Sequence, residues 1–210
     1  MSAPQRSEEW LIERIGMVTG SRFQDVIAMD KSGKRFLQSR ETAITEISLE
    51  LLTGRPGASW SSKATRWGNE YEPMAREAYE VKTGEICSEV GFIVHPVFLQ
   101  VGCSPDGLIG NHKGWEAKCP FTATVHLKTL LNGMPPEHMA QVQGGMWVTG
   151  RKEWDFVSFH PEFPENMQLY IETIPRDDAY IENMQNHVLS AVAEINCNVR
   201  DLLNKYRVSQ

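Results

Sequence analysis

Four short strand-like runs, crowded into one stretch of chain, constrain this sequence most. Gly91–His95, Leu99–Ser104, Gly107–Ile109 and Trp115–Cys119 are rich in β-formers and are broken by Pro96 and by Gly110-Asn111-His112-Lys113-Gly114. That spacing predicts an antiparallel meander. Helical stretches follow at 122–132 and 136–149, the second opened by Pro135-Pro136-Glu137. Strands return at 153–160 and 167–174, and a helix over 177–206 closes the chain. With helices at both ends, the order implies an α/β (α+β) layer in which a central mixed β-sheet is flanked by helices. A chain of 210 residues suits one globular domain, here 1–210.

Three helices are predicted before the meander. Ser21-Arg22-Phe23-Gln24 reads as a capping box, so a short helix is expected to start at Ser21. Over 40–52, Ile44, Ile47 and Leu51 form one stripe, with Gly54 as the stop. From Gly68 to Lys82, Tyr71, Ala75, Ala78 and Tyr79 mark a buried face ended by Gly84, which would turn Glu72 inward. Pro73 removes an interior hydrogen bond, so that helix is expected to begin near Glu72.

Composition narrows the function classes. The polar start, Met1–Glu9, has no secretory pattern and no apolar run is long enough to cross a bilayer, so a cytoplasmic protein with reduced thiols and no membrane span is expected. Cys87, Cys103, Cys119 and Cys197 are scattered and make no C-x-x-C pair, which removes the usual case for zinc. A net charge of −6 argues against unspecific coating of nucleic acid. Local basic residues nevertheless cluster at Arg14, Arg22, Lys31, Lys34, Arg35 and Arg40, and again at Arg55, Lys63 and Arg66. Trp60, between Arg55 and Lys63, is a candidate for stacking on a base.

The chemistry concentrates at Pro105-Asp106-Gly107 and, across a hairpin turn, Glu116-Ala117-Lys118. On a strand, Glu116 and Lys118 project from one face. Two carboxylates at a strand junction are hard oxygen ligands suited to magnesium, which leaves other positions to water and substrate phosphate. Lys118 would position the attacking water or stabilise charge, because a base role requires a strongly lowered pKa. The E-x-K pattern alone is weak: Glu80-Val81-Lys82 repeats it on a predicted helix, where i and i+2 do not share a face. Separately, the helix start at Ser21 with Arg14 nearby is suited to hold phosphate.

Five ordered segments carry a wider resemblance: Arg14-Ile15-Gly16-Met17-Val18-Thr19-Gly20-Ser21, Trp67-Gly68-Asn69-Glu70-Tyr71-Glu72, Cys103-Ser104-Pro105-Asp106-Gly107-Leu108, Glu116-Ala117-Lys118-Cys119-Pro120-Phe121-Thr122 and Met139-Ala140-Gln141-Val142-Gln143. Together they resemble the phage lambda exonuclease family, the alkaline exonucleases and YqaJ-type viral recombinases of the PD-(D/E)xK nuclease superfamily. The resemblance implies a restriction-endonuclease-like core. It makes Asp106, Glu116 and the backbone carbonyl of Ala117 ligands of Mg2+, which Mn2+ replaces, and Lys118 the catalytic lysine. Glu72 matches the family's helical acid and a second-metal ligand, with Pro73 leaving its orientation open. Arg14, Ser21, Ser104 and Gln141 would bind a terminal 5′-phosphate.

The implied activity is 5′-to-3′ digestion of one strand of linear duplex DNA to mononucleotides, leaving a 3′ overhang. The implied setting is phage-type recombination by a homotrimeric ring working beside a single-strand annealing protein. Two other readings stay open on the residues: a structure- or sequence-specific endonuclease, and a catalytically silent scaffold that binds DNA ends.

Overall fold

The computed structural model describes residues 3–57 and 62–206; Trp60 lies outside the described residues. In chain order the elements are α1 (Glu8–Glu13), β1 (Val18–Thr19), α2 (Gly20–Ile27), α3 (Gln38–Thr53), α4 (Lys63–Thr83), β2 (Cys87–Ser88), β3 (Ile93–Val94), β4 (Val101–Cys103), β5 (Gly107–Ile109), β6 (Lys113–Lys118), α5 (Ala123–Asn132), α6 (Met139–Thr149), β7 (Glu153–Phe159), β8 (Leu169–Pro175) and α7 (Asp178–Lys205). Mixed sheets flanked by helices make this an α/β fold, as expected.

The expected meander is split between two sheets. β4 lies between β1, parallel to it with Val18 beside Val101, and β3, antiparallel with Ile93 opposite Cys103. The larger sheet runs β2-β5-β6-β7-β8, antiparallel except for the parallel pair β6 and β7, where Glu116 sits beside Phe156. The chain changes sheets at Ser104-Pro105-Asp106, where proline has no N–H to extend a ladder. Asp106 therefore stands at the junction of the two sheets.

Alternation along β6 sorts its side chains by layer. Trp115 and Ala117 pack with Val157 and Phe159 of β7 against Ala75 and Tyr79 of α4. Glu116 and Lys118 face the other layer, where α6 lies. That layer is the main core, in which Phe23, Ile47, Trp154, Phe156, Met184 and Val188 are buried. α6 comes close because a Cβ at Gly144 would lie 2.2 Å from the Phe23 ring, and one at Gly145 2.4 Å from Trp154. Neither helix packing nor the approach of α6 survives a larger residue there.

Several boundaries differ from expectation for local reasons. α2 begins at Gly20 with Thr19 as its N-cap, because Thr19 is still extended as the end of β1. Ser21 is thus inside the first turn, and its hydroxyl is not the cap. α4 begins at Lys63, where the Ser62 side chain accepts from the Thr65 N–H at 3.0 Å, and it runs straight through Pro73. The ring costs one backbone bond, which the buried face of a 21-residue helix offsets. Residues 136–138 form a 3-10 turn that leads into α6. Arg40, grouped above with the basic surface, is buried and donates to the Val26 carbonyl and to Glu194. Gly54 and Gly84 end their helices in the left-handed region, as expected.

Candidate active site

The acids and the amine meet where β5 leaves the sheet junction and β6 ends. Asp106 Oδ2 accepts the Ala117 N–H at 2.9 Å, which ties the junction to the middle of the E-x-K segment. Glu116 is 3% exposed, and its Oε1 accepts from Lys118 Nζ at 2.6 Å and from Gln141 Nε2 at 2.6 Å. Lys118 Nζ also donates to Gln141 Oε1 at 3.1 Å, so the Gln141 amide bridges both charges. Burial and the neighbouring Glu116 charge push the Asp106 carboxyl up to about 7. Burial opposes charge on Lys118, but Glu116 and Asp106 outweigh it and hold the amine above its usual range. At neutral pH Lys118 is a cation, which suits charge stabilisation and not proton abstraction.

His138 flanks this cluster and stacks on Phe156, with ring centroids 5.3 Å apart. Burial, then the Lys118 charge, push its pKa down to about 4. The unfolded chain therefore takes up a proton near 6.5 that the folded protein refuses until about 4, so stability falls as pH drops through that window. A melting series from pH 7.5 to 4 is expected to fall less steeply in His138→Gln than in the parent chain. Identical slopes would remove His138 from the acid response.

On the far side of Glu116 a second group converges. Ser104 Oγ accepts from an Arg14 guanidinium N–H at 3.1 Å and from Trp10 Nε1–H at 3.0 Å. The Arg14 guanidinium stacks over Trp10, 4.0 Å from the ring centroid. The Ser21 hydroxyl lies 3.2 Å from that of Thr19. Arg14, Ser21, Ser104, Gln141 and Glu116 line one small cavity of about 30 Å³. The first turn of α2 borders this cavity through Gly20 and Ser21, and helix N-termini favour negative charge. Burial, then the Arg22 charge, lower the Arg14 pKa to about 10, which still leaves a full cation at neutral pH. Trp10 and Thr19 were not singled out from sequence. Trp10 sits four residues before Arg14, a spacing that places both on one side of α1.

Glu72 lies on the face of α4 that carries Ala75, Arg76 and Tyr79. Its carboxylate is 3.7 Å from the Arg76 guanidinium and is ion-paired to Arg6 from the N-terminal arm. Burial, then the Asp106 charge, raise its pKa. Arg6, Glu72, Arg76, Glu89 and Asp106 line a larger cavity of about 440 Å³. The acidic cluster thus forms a wall between two cavities, with Asp106 on one and Glu116 on the other.

A model of the YqaJ-like viral recombinase domain matches residues 9–152, which include every site residue above except Arg6. The chain belongs to this family. Among solved structures, the alkaline exonuclease LHK-Exo from Laribacter hongkongensis is similar to this YqaJ-like protein at 40% identity, with 95% of this chain and 97% of that one covered and a TM-score of 0.87. The crystal structure of LHK-Exo in complex with dAMP matches at 39% identity, the same coverage and the same TM-score. A phage related exonuclease from Haemophilus somnus 129PT, at 17% identity, 89% and 96% coverage and a TM-score of 0.70, shares the fold. No curated protein matches significantly.

The donors of the YqaJ-like site fit a hard divalent ion. Burial, then the neighbouring Glu116 charge, raise the Asp106 pKa, and a cation between the two acids relieves both penalties. Magnesium is commonly held by one or two carboxylates, with water and phosphate completing the shell. Among the described residues no three His, Cys, Asp or Glu side chains converge on one point. Glu72 is already engaged by two guanidiniums. No helix of the described residues is long and apolar enough to cross a membrane.

Proposed function

We propose that this YqaJ-like domain is a Mg2+-dependent 5′-to-3′ exonuclease that removes mononucleotides from one strand of linear duplex DNA and leaves a 3′ overhang. The observation that carries this reading is the shared wall: a small pocket lined by Arg14, Ser21 and Ser104 meets the Asp106, Glu116 and Lys118 cluster at Glu116 and Gln141. An end-anchored phosphate beside a cleavage centre measures off a single nucleotide. LHK-Exo, an alkaline exonuclease crystallised with dAMP, supports the same product.

In this reading Arg14, Ser21, Ser104 and Gln141 hold the terminal 5′-phosphate. Asp106, Glu116 and the Ala117 carbonyl hold Mg2+, or Mn2+ in its place. The chemistry such an ion supplies is neutralisation of charge developing on the scissile phosphate and acidification of the attacking water. Lys118, kept cationic by its acidic neighbours, orients that water and stabilises the same charge. The chain acts as one domain in the cytoplasm. Three copies in a ring would turn basic residues toward DNA while the outside keeps the net charge of −6. The 3′ overhang is the substrate a single-strand annealing partner requires in phage-type recombination.

Linear duplex and covalently closed circles, each incubated with the protein and Mg2+, separate this reading from its rivals. Linear DNA is expected to be degraded and circles to persist. Nicked or linearised circles would indicate an endonuclease, and retarded but intact linear DNA a binding scaffold. Arg14→Ala is expected to slow digestion of 5′-phosphorylated ends by roughly ten- to hundredfold, the worth of a charge-assisted hydrogen bond, with little change on 5′-hydroxyl ends. Equal losses on both substrates would reassign Arg14 to structure.

A further inference from the structure

Between β4 and β5 the chain passes from one sheet to the other through Ser104-Pro105-Asp106, which lie outside both ladders. Side chains from distant segments take up the carbonyls of this switch. Gln5 Nε2 donates to the Pro105 carbonyl at 2.6 Å and to the Val90 carbonyl at 2.9 Å. Arg76, from α4, donates through Nη2 to the Asp106 carbonyl at 3.1 Å. A half-buried carbonyl stripped of its donor is costly, so both contacts hold the main chain of the switch in place.

Arg76 is itself firmly held. Its side chain is 15% exposed and lies over Trp115, with the guanidinium carbon 5.5 Å from the ring centroid. Nη1 pairs with Glu89, and Nη2 lies 3.7 Å from Glu72 as well as bonding to Asp106. The planar fork thus spans two carboxylates and a carbonyl, and fixes their spacing. At Asp106 the carboxylate is already tied by one oxygen to the Ala117 N–H at 2.9 Å. With the main chain held at the carbonyl and the side chain held at Oδ2, few orientations of that carboxylate remain.

We propose that Arg76 is a positioning residue for the cleavage reaction, which aims the Asp106 carboxylate by holding the Asp106 main chain. The inference rests on the reading of Asp106 as a cation ligand. A role for Arg76 as a mere counter-charge has the opposite sign: removing a positive charge from an acidic cluster strengthens its grip on a cation, whereas loosening a ligand weakens it. Lysine separates the two roles. It keeps the charge but offers a single nitrogen, which the Glu72 and Glu89 carboxylates claim ahead of a neutral carbonyl.

Titration of the full chain with Mn2+, followed by the electron paramagnetic resonance signal of the free ion, is the direct test, run beside melting curves and digestion of linear duplex DNA at saturating Mn2+. Arg76→Lys is expected to weaken Mn2+ binding about tenfold and to lower kcat by roughly the same factor, with KM for DNA nearly unchanged. Arg76→Met combined with Glu89→Gln removes the ion pair at constant net charge, fills the space over Trp115, and is expected to show the same losses. Glu89→Gln alone keeps the bond to Asp106 and should behave as the parent chain does. Parent-like Mn2+ affinity and kcat in folded Arg76→Lys, or equal losses in Glu89→Gln, would overturn the assignment of Arg76 while leaving Asp106 as a ligand. Failure of both Arg76 variants to fold would make the residue structural and overturn it too. No Mn2+ binding by the parent chain would instead overturn the underlying reading of the site, and Arg76 with it.

Discussion

Asp106→Ala is expected to abolish digestion of linear duplex DNA, a fall of roughly a thousandfold or more, equivalent to about 4 kcal/mol of transition-state stabilisation. In the proposed reading the carboxylate is one of two acids that grip the cation, and Glu116, tied to Lys118 and Gln141, cannot replace it. Folding should survive. The substitution forfeits one hydrogen bond, from the Ala117 N–H, but also removes a buried acid whose ionisation is opposed by burial and by Glu116. Melting within a few degrees of the parent chain, together with lost turnover, is the expected pair of results. Glu116→Ala should lose activity equally but melt lower, since it strands the Lys118 amine and the Gln141 amide. Turnover within tenfold of the parent in the Asp106 variant would remove it from the site.

The largest expected effect on stability lies on the opposite face of the same sheet. Asp155 is 2% exposed on β7 and accepts from Thr173 Oγ1 at 2.6 Å, while Lys113 Nζ lies 3.1 Å away and the Tyr79 hydroxyl is within hydrogen-bond reach. Asp155→Ala leaves the Thr173 hydroxyl without its acceptor and takes from Lys113 and the Tyr79 hydroxyl one of their two carboxylate partners, the other being Glu85, at a cost of about 3 kcal/mol. For a chain of this length the melting temperature should fall on the order of 10 °C. Glu85, 3.0 Å from Lys113, retains part of the compensation. Activity per folded molecule should be unchanged, because Asp155 faces α4 whereas Glu116 and Lys118 face α6. A drop in melting temperature below about 2 °C would mean that the network contributes little.

What the sequence made legible tracks how local each signal is. The helix ends at Gly54 and Gly84, the strands β7 and β8, and the pairing of Glu116 with Lys118 on one face all follow from periodicity or from a single residue's backbone preference. The split meander was hidden because β1 has two residues and pairs in parallel with a strand about eighty residues away, which no short-range pattern encodes. The spacing of Ser21 to Gln24 fits a cap, yet the adjacent strand keeps Thr19 extended and shifts the helix start by a residue. Pro73 does not break α4 for a related reason, as tertiary burial of Ala75 and Tyr79 outweighs a local breaker.

The site shows the same division. Arg14 and Ser21 could be paired as phosphate partners from the helix start alone, whereas Ser104 and Gln141, from two distant segments, join them through the family resemblance. Trp10 and Arg6 escaped notice because each acts across a long loop: Trp10 on Ser104 at a separation of 94 residues, Arg6 on Glu72 at 66. Nothing in an isolated arginine near the chain start distinguishes a counter-ion for an acidic centre from a solvated surface charge.

The central claim, that a divalent cation held by Asp106 and Glu116 cuts one nucleotide at a time from a phosphate-anchored 5′ end, is tested most directly by a time course on linear duplex DNA labelled at its 5′-phosphate. With Mg2+ the label should appear as mononucleotide from the earliest points, and EDTA should stop its release at once. Label emerging as oligonucleotides of mixed length, or released undiminished in EDTA, would contradict it.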